Sequence, residues 1–72
     1  MPLPAISGER AVRAFLRAGW IRDRQTGSHV ILVKPGHPAV LSIPLHRALA
    51  PGTLRALIRA SGLSAEEFQD LV

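Results

Sequence analysis

Cysteine is absent from this chain of 72 residues. That removes a disulfide staple, a thiolate nucleophile and a cysteine zinc site, and it fits a reducing, cytoplasmic setting. Long apolar runs are missing too. No window approaches the roughly 18 consecutive apolar residues of a membrane span. Met1-Pro2-Leu3-Pro4 lacks the charged region and apolar stretch of a signal peptide. Acidic residues are few, and none lies between Asp23 and Glu66. The three histidines, His29, His37 and His46, fall one to a segment without HxH or HExxH spacing. A zinc site would need all three to converge or carboxylate help, so no metal and no cofactor are expected. No GxSxG elbow is present, and the chain is too short for the fold that carries one. Repeats, low-complexity tracts and linkers are also missing.

What remains is apolar and basic. Apolar residues make up 47% of the chain, enough for a folded globule. The length suits one domain with one small core, here residues 1–72, with 1–6 as a loose lead-in. Nine Lys and Arg stand against five Asp and Glu, a formal +4, and Lys34 is the sole lysine. A small basic domain is drawn to polyanions without any sequence readout. Arginine also forks onto phosphate or carboxylate. Charge alone leaves three readings open: nucleic acid, an acidic protein partner, or a solvated surface.

Ser7 reads as an N-cap, with Glu9 favourably placed in the first turn. Ala11, Val12, Phe15 and Leu16 share one face of a helix over about 8–18. Arg10, Arg13 and Arg17 lie opposite. That stripe is either the wet side of an amphipathic helix or a ridge for phosphate or an antitoxin. Gly19 suits the left-handed position that ends a helix. Trp20, Arg22 and Arg24 point one way in a strand, Ile21 and Asp23 the other. Gln25-Thr26-Gly27 reads as a hairpin turn. Ser28 to Lys34 is a second strand, apolar on both faces at Val30-Ile31-Leu32-Val33 and so central. Residues 35–38 break it with two prolines and a glycine. Residues 39–43 make a third strand, closed by Pro44, and 45–50 a connector. Pro51 opens a second helix, with Leu54, Leu57 and Ile58 as its apolar stripe. Gly62 ends it. Ser64 with Glu67 is a capping box, and Leu63 with Phe68 a staple, for a short helix over about 65–71.

The expected fold is α+β, in the order α-β-β-β-α with a short C-terminal helix. A three-stranded antiparallel sheet carries its helices on one face. Double-stranded RNA-binding domains (dsRBDs) share this order, an analogy that leans toward RNA.

His29 follows a turn glycine and a small serine at the start of the strongest strand signal, where a substrate backbone can come close. Histidine has an unperturbed pKa of about 6.5, which suits proton transfer in both directions near neutrality. Position alone leaves a structural strand histidine equally open.

Five ordered motifs then coincide. Gly27-Ser28-His29 follows a helix ending Ala18-Gly19-Trp20. Lys34-Pro35 comes next, and then Ser42-Ile43-Pro44-Leu45-His46. The last two are the run from Leu49 to Ile58 and the run from Ala60 to Phe68. From about residue 7 to the end, this pattern resembles the HicA (YcfA-like) toxin family. The resemblance implies a dsRBD-like fold and a toxin of a type II toxin–antitoxin system. It implies a metal-independent mRNA interferase acting on single-stranded mRNA, neutralised by a HicB-type antitoxin. The family's catalytic histidine maps onto His29. Gly27 and Ser28 then lie against RNA, with Lys34, Arg22 and Arg24 as candidate cations for the phosphate. The antitoxin must cover His29, and the stripe Arg10, Arg13 and Arg17 favours an acidic antitoxin surface. Two departures stand out: Val30 where many members have a second histidine, and Lys34-Pro35 where many have His-Pro. A non-catalytic RNA-binding module, or a degenerate toxin serving as scaffold of a repressor complex, is the alternative.

Overall fold

The computed structural model describes residues 5–72. Six elements follow in order: α1 Gly8–Arg17, β1 Ile21–Thr26, β2 His29–Val33, β3 Leu41–Pro44, α2 Pro51–Ser61 and α3 Ala65–Leu71. The fold is the expected α+β arrangement of three antiparallel strands and three helices.

Each helix starts where its capping residues place it. The Ser7 hydroxyl accepts from the Arg10 N–H at 3.1 Å, satisfying one orphan donor of α1. Ala18 and Gly19 end α1, and Gly19 takes a φ of +99°. Pro51 sits in the first turn of α2, and Gly62 closes it at φ +83°. At α3 the reciprocal cap is complete: the Glu67 N–H donates to Ser64 Oγ at 3.0 Å, and the Ser64 N–H to Glu67 Oε1 at 2.8 Å. The Ser64 backbone bond holds the Glu67 carboxyl below its ordinary range. The cap's contribution is therefore present above the ordinary glutamate pKa and fades as pH falls through the lowered one.

The sheet order is β1-β2-β3, so the doubly apolar β2 is central. Val30 and Leu32 on β2, with Leu41 and Ile43 on β3, join α1 and α2 in the core. Phe15 of α1 and Phe68 of α3 meet with ring centroids 5.1 Å apart. Ile31 is shielded but lies outside that core cluster. Alternation along the strand puts it, with His29 and Val33, on the face away from the helices.

Several local expectations shift. β1 runs to Thr26, which opposes His29, so the two-residue turn is Gly27-Ser28 rather than 25–27. Gly27 has a φ of +58° while no non-glycine residue has positive φ among the described residues, the pattern of a type II′ hairpin turn. The register slips between Arg22 and Arg24, leaving Asp23 as the extra residue of a β-bulge. Arg22 opposes Leu32 and shares its helix-side face; Arg24 opposes Ile31 and shares the open face. The bulge thus corrects the expectation that Trp20, Arg22 and Arg24 point one way. The third strand starts at Leu41 and includes Pro44, on an edge where proline is tolerated. Of the lead-in 1–6, residues 1–4 lie outside the described residues. Ile6 is not loose: it is 3% exposed, and its carbonyl accepts from the Leu49 N–H at 2.8 Å.

The tightest contact joins α1 to β3. A Cβ on Gly8 would stand 2.0 Å from the Pro44 carbonyl oxygen, so only glycine lets the helix start this close to the strand end. The Gly8 N–H also donates to the His46 carbonyl at 2.9 Å. We expect Gly8→Ala to cost about 1–3 kcal/mol through overpacking. Gly27→Ala meets open space and should cost about 1–2 kcal/mol from its left-handed backbone alone. Urea unfolding checks both; an unchanged midpoint for Gly8→Ala would contradict this packing.

Candidate functional site

His29 begins β2 at the mouth of the Gly27-Ser28 turn. Thr26 opposes it on β1 and Pro44 on β3. The Leu45 N–H donates to the Ser28 carbonyl at 2.7 Å, so both neighbours pin the backbone at the ring's base. The side chain itself is exposed and makes no hydrogen bond or ion pair among the described residues. Nothing lies within 4 Å of a Cβ at Gly27. The result is a rigidly mounted imidazole with open approach, on the sheet face that no helix covers.

The other histidines differ in kind. His37 is engaged: Nδ1 accepts from the Ala39 N–H at 3.2 Å, and its ring lies 4.9 Å from that of buried Trp20. It secures the loop after β2. His46 is exposed beyond β3, and its carbonyl holds α1 through Gly8. Among the described residues no group of three His, Asp or Glu is gathered for a metal ion.

The candidate cations are dispersed. Arg24 shares the open face with His29, one diagonal step away across β1 and β2. Its guanidinium pairs with Asp23, the bulged residue, at the surface. Arg22 faces the helix side. It lines a cleft of about 550 Å³ with Ser7, Glu9, Gln25, Leu45, His46 and Arg47. Lys34 lies past the far end of β2, five residues and roughly 16 Å from His29 by strand rise. Its Nζ donates to the Ala18 carbonyl at 3.2 Å. There a cation caps the negative end of α1. Arg13 pairs with Glu9 at 3.2 Å, and Arg17 donates to the Leu71 carbonyl. Of the α1 stripe, only the Arg10 guanidinium has no partner among the described residues. Gly27 and Ser28 both sit at the exposed turn beside His29.

Reading 45–50 as a plain connector misses His46 and Arg47. The available signal was register: Pro44 opposes His29, so the residues after Pro44 must start beside the hairpin end.

The fold and this geometry define a small basic α+β domain with the dsRBD element order. It presents a free histidine at a hairpin mouth. A family model described as the HicA toxin of bacterial toxin–antitoxin systems matches residues 8–63. The chain belongs to the HicA toxin family. Comparison with curated proteins gave no match. Among the described residues, no helix is long and apolar enough to cross a membrane.

Lys34→Gln should lower stability by about 0.5–1.5 kcal/mol, the worth of one charge-assisted bond at a helix end. Chemical denaturation checks this. Unchanged stability would contradict the capping role.

Proposed function

We propose that this toxin is a metal-independent endoribonuclease that cuts single-stranded mRNA with His29 as general base. It acts in the cytoplasm and is held inactive by a HicB-type antitoxin that covers His29. The observation that carries this reading is the exposed, unpartnered His29 ring on a pinned backbone, within the family's span.

RNA brings its own nucleophile, the 2′-hydroxyl beside each phosphate. Neutral His29 takes the 2′-hydroxyl proton as that oxygen attacks phosphorus. The P–O5′ bond breaks, and the 5′-oxygen leaves as a hydroxyl with a proton from solvent at this open site. The products are a 2′,3′-cyclic phosphate and a 5′-hydroxyl end. One positioned base contributes roughly 10²- to 10⁴-fold, which makes a modest enzyme. Arg24 is the cation best placed to meet the charge on the phosphorane, being on His29's face. Gly27 and Ser28 allow the RNA backbone close approach. Val30 points into the core, so the adjacent position adds no second donor, and catalysis hangs on His29.

On the antitoxin side, acidic side chains would meet Arg10 on α1 as well as the His29 face, with Arg13 and Arg17 partly neutralised by their own contacts. Induced alone in a bacterium, the protein should arrest growth with loss of mRNA. His29→Ala should keep the unfolding midpoint and lose both effects. Growth arrest that survives in a folded His29→Ala protein would assign the base elsewhere. A wild-type protein that binds RNA without arrest would favour a non-catalytic RNA-binding module or a repressor scaffold.

A further inference from the structure

Arg22 and Arg47 stand on opposite walls of a single cleft, one on β1 and one in the connector after β3. Neither guanidinium has an ion pair or side-chain hydrogen bond among the described residues. The neighbouring polar groups are already engaged. Glu9 pairs with Arg13, the Gln25 amide donates to the Gly27 carbonyl at 3.1 Å, and Ser7 Oγ accepts from the Arg10 N–H. The cleft's one carboxylate is therefore taken by an arginine outside it. Two uncompensated cations facing one open volume of about 550 Å³ make a site for an anion.

Its place in the fold selects the anion. The connector leaves β3 at Pro44, directly opposite His29. One cross-strand step and two residues of chain put His46 roughly 10 Å from His29 along the backbone. A strand lying on the open face at His29 reaches this cleft by passing over the end of the hairpin. An acidic protein segment has no such reason to enter here.

We propose that the cleft is a second RNA subsite, which binds a phosphate neighbouring the one that is cut. Arg22 and Arg47 fork onto its oxygens, and the His46 ring offers a further donor. This rests on the reading of His29 as the cutting residue. It moves Arg22 from the reacting phosphate to a flanking one.

The test uses the full chain and an uncleavable 2′-O-methyl RNA oligonucleotide long enough to span both places. Binding is followed by fluorescence anisotropy over a range of salt. The double variant Arg22→Gln with Arg47→Gln should bind at least about tenfold more weakly. Its log–log salt slope should be shallower by about 1.4, from about 0.7 per phosphate contact on single strands. Arg55→Gln with Arg59→Gln on α2 removes equal charge away from the cleft and should change both far less. Equal losses in the two double variants, or unchanged affinity and slope in the first, would overturn the subsite. So would a loss confined to binding of a poly-glutamate peptide, which would make the occupant an acidic protein. Thermal unfolding of each variant verifies the fold, and the Arg22→Lys, Arg47→Lys pair should restore the salt slope. Cleavage of a dinucleotide, too short to reach the cleft, should be unchanged in the glutamine variant. RNA-binding losses in a protein whose wild type never cuts would leave the subsite standing and remove the ribonuclease reading.

Discussion

Gly8 lies so close to the end of β3 that no side chain fits between them. This contact organises the working end of the molecule. Around it three backbone bonds tie distant segments together: Gly8 to His46, Leu45 to Ser28, and Leu49 to Ile6. The first anchors α1 to the chain leaving β3. The second anchors that chain to the hairpin turn. The third closes the N-terminal segment over the connector. A small domain with one core has little energy to spare for positioning. Here the positioning is done by backbone groups that would otherwise need water or a cap. His29 inherits that rigidity without using its own side chain.

The bulge at Asp23 is the second device. By adding one residue to β1 it sends Arg22 and Arg24 to opposite faces. Without it both would crowd one surface, and like charges on one face repel. With it, one cation accompanies His29 and the other turns to the cleft beside α1. The turn residues serve the same end. Gly27 accepts a backbone conformation other residues resist, which lets a two-residue turn hold His29 at the strand's first position.

Much of this architecture could be read from the residues. Capping at Ser7 and Ser64, the helix ends at Gly19 and Gly62, the proline at Pro51 and the doubly apolar β2 are local signals. The structure follows them to within a residue or two. His29 could be singled out because a turn glycine and a strand start are local features too. The missed features are those set by non-local geometry. The bulge comes from how β1 and β2 register, which alternation in β1 alone does not reveal. Lys34 looked like a phosphate ligand because its partner, the Ala18 carbonyl, is 16 residues away. Arg13 and Arg17 looked like a free ridge because α3's return to α1, which brings the Leu71 carbonyl to Arg17, lies 54 residues on. Gly8 carried one unused hint: a poor helix former placed right after an N-cap, where almost any residue is better.

The chemistry asked of His29 is small: one proton taken from a hydroxyl that the substrate itself supplies. The demand therefore falls on access and placement, the two properties the hairpin mouth provides. The most direct test is cleavage of a purified RNA by the purified protein in the presence of a chelator. The ends of the products are analysed, and the assay is repeated with a single 2′-deoxy nucleotide at the cut position. The account predicts 2′,3′-cyclic phosphate and 5′-hydroxyl ends, with cutting abolished at the deoxy position alone. Continued cutting at that position would contradict it, because the attacking oxygen would then come from somewhere other than the RNA.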